Sequence, residues 1–256
     1  MNFVADKSTL KVVGTRPVRP DGVDKVVGRA QFGGDAVMPG MIYGATVRSP
    51  HAHARIIKID TSKAEALKGV KAVMTSADMP EITSDEAFVG EGPVNFRDLS
   101  SNLMARGKVL YDGHVVAAVA ATSMSIAKAA AELVEVEYEV LPHVIDEIEA
   151  MADDAPVLHD DIFTAGVDPK PTKASNVAKR VEFATGDLDA GFAAADVIVE
   201  RTYKTAPVHQ AYIEPHACVA AYNADGQCQV ICSSQGQFMV RAFCAKLLGI
   251  DTSDIR

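Results

Sequence analysis

The stretch KVLYDGHVVAAVAATSMSIAKAAAELVEVEYEV, residues 108–140, carries several structural patterns in succession. Asp112–Gly113 is a turn signal, and the run from His114 to Thr122 is apolar on both faces, which predicts a buried strand. Ser123 is placed to open a helix, and the final residues alternate between apolar and polar. One face of this last strand is formed by Val134, Val136, Tyr138 and Val140. The order strand, helix, strand predicts a mixed α/β unit.

The residues before this stretch continue the same pattern. Segments rich in β-branched and apolar residues predict strands over 41–49, 54–60 and 70–75. A short helix is predicted over 61–69. We expect it to begin with a capping box of Ser62 and Glu65 and to end at Gly69 in a left-handed conformation.

Two further segments complete the first half of the chain. Residues 80–102, with Gly90 near the middle, are predicted to be a loop. Residues 1–24 contain prolines and no regular pattern, which predicts an extended N-terminal arm. The mixed α/β domain is therefore assigned to residues 25–148.

A change of composition marks the second half. Residues 149–180 are rich in Asp, Pro, Gly and Lys with little periodicity, which predicts a linker or a strap along the surface. A second unit is assigned to 181–256. It contains a helix with Asp187 near its positive end and a turn at Asp225–Gly226. Its predicted strands cover 196–205, 217–223 and 227–234.

The last predicted element is an amphipathic helix over 236–249. The residues expected on its apolar side are Phe238, Ala242, Ala245 and Leu248. Nothing in the sequence after this helix closes the second unit. We therefore expect the chain to be an N-terminal piece of a larger protein or one subunit of a split enzyme.

Composition excludes several classes of partner. The chain has 256 residues, a net charge of -9 and a pI near 5.2, which argues against binding to nucleic acid or to an anionic membrane. No apolar run approaches the roughly 20 residues of a membrane helix, and the first residues lack a secretory signal. The expectation is a soluble cytoplasmic protein.

The cysteines do not form a recognisable site. Cys218, Cys228, Cys232 and Cys244 lie near the end of the chain without a C-x-x-C pair. A disulfide framework does not suit a chain of this length, and an iron–sulfur cluster needs closer spacing. Buried reduced thiols are predicted.

The sequence SSQGQF, residues 233–238, places Gln235 and Gly236 where a strand turns into a helix. A neutral amide at such a corner can cap the helix or contact a ligand. Gly236 would let the backbone approach a group closely, and the helix N-terminus favours an anionic group. The residues alone favour the cap.

Other polar clusters favour structural roles. His51 and His53 would share a face of a strand, but no third metal ligand is apparent. Glu214 precedes a proline and could be taken for a general base, but a buried structural carboxylate is the preferred interpretation. It lies in a group with His209, Gln210 and His216. The triplet of His159, Asp160 and Asp161 is interpreted as a solvated turn.

Four segments together resemble one known family. They are the stretches 24–75, 105–122, 134–142 and 209–220. They are similar, in order, to the N-terminal part of the molybdenum-binding subunit of the xanthine dehydrogenase and aldehyde oxidase family. The closest likeness is to its 4-hydroxybenzoyl-CoA reductase and carbon monoxide dehydrogenase branches.

This resemblance implies an α+β fold, in which an α/β hammerhead domain precedes the start of a molybdopterin-binding domain. It implies a molybdopterin cofactor, with [2Fe-2S] and FAD carried by an iron–sulfur subunit and an FAD subunit. Gln235 matches the glutamine that hydrogen-bonds an oxo ligand of the molybdenum, and the adjacent Gly236 is assigned to the cofactor site with it. The family's catalytic glutamate and its glycine–phenylalanine cofactor loop have no counterpart among these residues, so no catalytic residue is assigned.

The activity implied is that of an oxidoreductase subunit. Its complex hydroxylates, or reductively dehydroxylates, an aromatic, heterocyclic or aldehyde substrate. The chain is expected to need a further molybdopterin-binding segment or chain. The alternative is a non-catalytic scaffold subunit that uses the same fold to dock its partners.

Overall fold

The computed structural model describes residues 10–82, 87–89 and 92–256. Its helices are α1 (Gly22–Val26), α2 (Ser62–Glu65), α3 (Phe96–Leu103), α4 (Met124–Ala131), α5 (Leu188–Ala193) and α6 (Gln237–Leu248). Its strands are β1 (Tyr43–Arg48), β2 (Ala54–Asp60), β3 (Val70–Thr75), β4 (Ala87–Val89), β5 (Gly92–Val94), β6 (Lys108–Val109), β7 (Val115–Ala121), β8 (Glu135–Val140), β9 (Cys218–Tyr222) and β10 (Cys228–Cys232). No helix within these ranges is long and apolar enough to cross a membrane.

Strand β7 is the centre of the first unit. It lies between β1 and β3 in an antiparallel sheet. Ala117 and Val119 on one face pack with α2 and α4, whereas Val116 on the other face packs against the sheet β6–β2–β8. The predicted buried strand is confirmed, and burial on both sides explains why its sequence is continuously apolar.

Strand β8 carries the predicted apolar face, which is buried over part of its length. It pairs antiparallel with β2, and its Val136 and Tyr138 pack against the cluster around Val116. Val140, the last residue of the strand, is 61% exposed. The predicted face is therefore buried only as far as Tyr138, because the facing cluster does not cover the end of the strand.

The ends of α2 and α4 confirm some predictions and correct others. The Ser123 hydroxyl accepts the Ile126 N–H at 3.3 Å and caps α4, as predicted. Gly69 has the expected left-handed conformation, with φ +102, but α2 does not end there as predicted, because its last residue is Glu65 and its C-cap is Ala66. The capping box was wrong: Ser62 donates to the Asp60 carboxylate. The other expected member, Glu65, accepts instead from the Thr61 hydroxyl at the N-cap position.

Residues 80–102 are not a simple loop, and that prediction was wrong. β4 pairs with β5, and α3 follows directly. The Asn95 side-chain oxygen accepts the Asp98 N–H at 3.1 Å, which caps α3. Phe96 turns inward and is 1% exposed. Gly90 lies outside the described residues.

The segments on either side of the first unit contain local structure: a short helix in the arm and side-chain hydrogen bonds in the linker. Residues 1–9 of the predicted arm lie outside the described range, and α1 begins inside that arm, at Gly22. In the predicted linker, the Asn176 amide donates to the carbonyls of Ala150 and Pro156. These bonds hold distant parts of the segment together, which favours the strap interpretation.

The second unit is built on the hairpin of β9 and β10. Gly226 has φ +89 in the connecting turn, as its prediction required. α6 packs on β10 through a cluster of Cys228, Ala245 and Ile255. The last two residues lie parallel to β10. Ile255 forms a parallel bridge with Cys228, and the Arg256 N–H donates to the Cys228 carbonyl at 2.8 Å.

Two predictions for this unit need correction. Residues 196–205 form no strand, and Val197 and Val199 are more than two-thirds exposed. An extended segment needs a neighbour for its backbone hydrogen bonds, and among the described strands none pairs with it. The apolar side predicted for α6 is also wrong, because Phe238 and Leu248 are exposed and only the middle of the helix meets β10.

The helix α5 begins as predicted. The Asp187 carboxylate accepts the Ala190 N–H at 3.0 Å, so this residue is the N-cap. A carboxylate at this position also interacts favourably with the positive end of the helix dipole.

Candidate functional site

The corner, Ser233–Gly236, connects β10 to α6. The Ser233 N–H donates to the Ala217 carbonyl at 3.2 Å, which extends the hairpin one residue beyond β10. The Ser234 hydroxyl then accepts the Gly236 N–H at 3.0 Å. This short-range hydrogen bond turns the backbone into the helix. Serines therefore set the direction in which the corner leaves the sheet.

Gln235 is exposed at the tip of this corner. The N-cap position of α6 belongs to Gly236, and no side chain caps the helix. Within the described part of the chain, the Gln235 amide makes no hydrogen bond. The cap that the residues alone favoured is therefore absent there. Its amide carries two N–H donors and a carbonyl acceptor, which leaves it able to bind a polar group.

Gly236 is not required by the backbone of this chain. Its φ of -143 is open to any residue, and an added Cβ would lie 3.8 Å from Met239, an ordinary contact. The expectation that glycine permits a close approach therefore finds no partner in the described residues.

Gly33 supports the corner from the first unit. A Cβ added there would lie 2.9 Å from the Ser233 hydroxyl and 3.1 Å from both the Ser233 nitrogen and the Ala217 carbonyl. The two units are thus in backbone contact beside the candidate site. A cleft of about 560 Å³ opens next to this contact, between residues 31–38 and the end of β10 at Ile231 and Cys232.

A second contact joins the units at α6. The rings of Phe96 and Phe243 meet edge to face, with centroids 5.7 Å apart. Aromatic pairs favour this arrangement. Helix α6, which starts at the corner, is therefore held against α3 of the first unit.

The group around Glu214 is not a built site. Glu214, His209, Gln210 and His216 are all exposed. Glu214 forms no ion pair with any described residue, so the predicted buried carboxylate was wrong. The Tyr212 ring stacks on His216 at 4.8 Å, and Ala211 adopts a left-handed φ of 53. Within the described ranges no buried residues surround the Glu214 carboxylate, so the structure gives no support for a general base there.

The histidine and aspartate candidates have structural roles. His53 is buried with Nδ1 2.6 Å from the Pro142 carbonyl, and His51 packs edge to face on Tyr138. Asp160 and Asp161 pair with Lys108 and Arg97, each at 3.0 Å, and so tether the strap. Their triplet is thus more than a solvated turn, although exposed pairs of this kind are weak. With His159 they form no metal site, because no group of three or more ligands suited to a metal ion occurs in the described residues.

The cysteines are all free, but they differ in exposure. Cys228 is buried, whereas Cys218 is exposed, so the prediction of buried thiols was wrong there. Cys232 and Cys244 are partly buried. Burial raises the pKa of the Cys244 thiol.

Comparison with known proteins identifies the family of this chain. Residues 27–142 match the model of the aldehyde oxidase and xanthine dehydrogenase a/b hammerhead domain, and residues 170–256 match that of the molybdopterin cofactor-binding domain. The chain is 34% identical over 239 residues to a probable xanthine dehydrogenase subunit of Bacillus subtilis (strain 168). That match covers 93% of this chain and 29% of the relative. The chain belongs to the xanthine dehydrogenase and aldehyde oxidase family.

Two further comparisons support membership of the xanthine dehydrogenase and aldehyde oxidase family. The nicotinate dehydrogenase large molybdopterin subunit of Eubacterium barkeri is 30% identical over 246 residues, covering 96% of this chain and 53% of the relative. The structure of quinoline 2-oxidoreductase from Pseudomonas putida 86 superposes with a TM-score of 0.78 at 30% identity, covering 96% of this chain and 30% of that one. The α+β fold, with a hammerhead domain before the start of a molybdopterin-binding domain, is confirmed. The chain thus spans between about a third and a half of these relatives.

Sequence reasoning missed Gly33, which contacts the candidate site of this family member. The only local signal was the pair Gly33–Gly34 between apolar segments, which marks a possible close approach of two backbones. The residues that it meets, Ser233 and Ala217, lie about two hundred positions later. No periodicity could indicate that contact.

Proposed function

We propose that this chain is the N-terminal part of the molybdopterin-binding subunit of an oxidoreductase complex. The complex hydroxylates, or reductively dehydroxylates, an aromatic, heterocyclic or aldehyde substrate. The observation that carries the proposal is Gln235. Its amide makes no hydrogen bond to the part of the chain that the structure describes, and it lies at the tip of an uncapped helix corner, inside the segment 170–256 that matches a molybdopterin cofactor-binding model.

The chemistry of the corner fits an oxygen-rich, anionic cofactor. The first turn of α6 contains no acidic residue, and among the described residues no side chain caps the N-terminus of the helix. The backbone N–H groups of this turn carry the positive end of the helix dipole, which favours anionic groups. Gly236 adds no side chain between the backbone and such a group. The corner therefore offers such a cofactor the neutral amide of Gln235 and the backbone N–H groups of α6, and Gly236 places no side chain in the way.

The proposed role of Gln235 is positioning and charge stabilisation. Its N–H would donate to an oxygen atom of the cofactor, and its carbonyl would accept from a hydroxyl group of the cofactor or the substrate. Because serines and Gly33 hold the corner, the amide needs little reorganisation when charge shifts during the reaction. When bound, a molybdopterin centre supplies the redox chemistry, and the protein supplies orientation and electrostatics.

We further propose that electrons pass between this subunit and partner chains carrying [2Fe-2S] and FAD. A small-molecule substrate would be held mostly by protein beyond these residues. The bacterial relatives act, by their names, on xanthine, nicotinate and quinoline. Electron-poor nitrogen heterocycles are thus the first class to assay, followed by aldehydes and carbon monoxide. The scaffold alternative is disfavoured by the match to a cofactor-binding domain.

The test is the Gln235→Ala variant in the purified complex. We expect molybdenum and pterin to be present in the unmodified complex in stoichiometric amount. We expect kcat with a nitrogen heterocycle to fall by about a hundredfold or more in the variant, the usual effect of removing one positioned donor. Metal analysis and steady-state kinetics give the two readouts.

Gln229→Ala is the matched control, because Gln229 is also an exposed glutamine of this hairpin but lies on β10 away from the corner. It should retain the activity of the unmodified complex. A metal-free complex would refute the proposed function. Equal activity of both variants would refute the role of Gln235 alone.

A further inference from the structure

Two cysteines lie directly opposite each other at the end of the hairpin next to the corner. Cys218 begins β9, Cys232 ends β10, and they are register partners. The neighbouring pair is hydrogen-bonded, because the Ser233 N–H donates to the Ala217 carbonyl. Hydrogen-bonded and non-hydrogen-bonded pairs alternate along an antiparallel ladder, so the cysteines form a non-hydrogen-bonded pair.

This position suits a cross-strand disulfide. In non-hydrogen-bonded pairs the Cα atoms are about 4.5 Å apart, which lies within the range of about 4.4–6.8 Å that disulfides span. Directly opposite residues also project from the same face of the sheet. The thiols of Cys218 and Cys232 can therefore be joined without changing the register of the hairpin.

We propose that Cys218 and Cys232 form a reversible disulfide when the protein meets a low-molecular-weight disulfide oxidant. The Cys218 thiol is exposed, so its thiolate attacks one sulfur of the oxidant, and the broken S–S bond releases one small thiolate. The Cys232 thiolate then attacks the Cys218 sulfur of the mixed disulfide and releases the second. Two electrons pass to the oxidant, and the two thiol protons end on the released thiols.

The remaining cysteines are poorer partners. Cys228 is buried and stands opposite Tyr222, which separates it from Cys218 along the ladder. Cys244 lies on α6, and its raised pKa leaves less thiolate to react. It shares a groove of about 210 Å³ with Cys232, so a Cys232–Cys244 bond is the competing product.

The bond would link β9 and β10 directly beside the corner. It joins the first residue of β9 to the last residue of β10, directly before Ser233. The side chains of a non-hydrogen-bonded pair lie close together, and Cys218 leaves the bond exposed to solvent. Exposed disulfides are among the easily reduced ones. Reversibility follows from this exposure, and it does not depend on the proposed function.

The experiment uses the intact complex, treated with oxidised glutathione and then alkylated. Trypsin with cleavage before Asp225 separates the thiols into peptides 205–224, 225–241 and 242–246. We expect peptide 205–224 joined to 225–241, with fragmentation assigning the bond to Cys218 and Cys232. The mass should be lower by two hydrogens than the sum of the reduced peptides. Dithiothreitol should restore both peptides.

The variants make the assignment specific. Cys218→Ser and Cys232→Ser should each abolish the joined species, whereas Cys228→Ala, on the same strand, should leave its yield unchanged. The proposal is overturned if 225–241 is joined instead to 242–246. It is equally overturned if Cys218 stops at the glutathione mixed disulfide, or if neither thiol reacts.

Discussion

At the scale of single residues, Gly33 sets how closely the two units approach. We predict that Gly33→Ala lowers the free energy of unfolding by about 1–3 kcal/mol, the usual cost of forcing extra volume into a packed contact. The new Cβ would meet the Ser233 backbone and the Ala217 carbonyl, neither of which is the end of a flexible side chain. Chemical denaturation of the purified protein measures the loss.

Gly34 supplies the matched control. A Cβ added there would meet the Ala217 Cβ at 3.8 Å, which is ordinary van der Waals contact. Gly34→Ala should therefore change the free energy of unfolding by no more than about 0.5 kcal/mol, as substitutions without a clash do. Equal losses for the two variants would show that general loss of glycine, and not the contact with the corner, causes the effect.

At the scale of elements, His114 joins the end of α3 to the turn before β7. The Leu110 N–H can only donate, so the His114 Nδ1 that it meets at 3.2 Å is the acceptor. Nε2 therefore carries the proton and donates to the Ser101 carbonyl at 2.9 Å. The ring is fully buried and stacks on Tyr111. This neutral tautomer connects both elements, and protonation would remove the acceptor for Leu110.

Burial lowers the pKa of His114, and its hydrogen bonds to carbonyls oppose that shift only in part. A lowered pKa in the folded state means that the unfolded state binds the proton first. The stability that neutral His114 contributes is therefore fully present above about pH 6.5, and it decreases as the pH falls towards the pKa of the folded state. The slope contributed by one proton is at most about 1.4 kcal/mol per pH unit.

Unfolding at pH values between about 8 and 5 measures this effect, and the interval spans the ordinary pKa of histidine. We expect His114→Gln to be less stable but to show a shallower dependence on pH, because the titrating group is gone. His143→Gln removes an exposed histidine and should keep the slope of the unmodified protein. If His114→Gln kept that slope as well, the coupling between His114 and folding would be excluded.

Elements defined by local signals could be predicted from the sequence, and elements defined by distant partners could not. The buried strand β7, the Ser123 cap and the turn at Gly226 each have a sequence signal within a few neighbouring residues, and each is confirmed. Helix α3 was missed although Asn95 and Asp98 form a local cap signal, because the glycines before it suggested a loop. The position of Gln235 was readable, but its support by Gly33 was not.

At the scale of the whole molecule, residues 181–213 expose an unusual amount of apolar surface. The large exposed side chains in this segment include Phe183, Val197, Val199, Tyr203, Val208 and Ile213. Exposed patches of this kind mark surfaces that another protein segment covers. The relatives are two to three times longer than this chain, and the proposed function requires further protein to complete the cofactor site. We therefore expect that protein to cover the segment.

Hydrogen exchange in the intact complex tests this expectation at residues 196–205. These residues were predicted to form a strand from their β-branched pattern, yet no described strand offers them hydrogen bonds. If the rest of the complex pairs with them, their amides should exchange nearly as slowly as those of β7. Ala224 and Asp225 in the hairpin turn give the fast reference in the same sample, because their N–H groups donate to no described residue. Exchange at 196–205 as fast as in that turn would show that these residues form no strand in the complex. The exposed apolar surface would then need a different explanation from completion of the sheet.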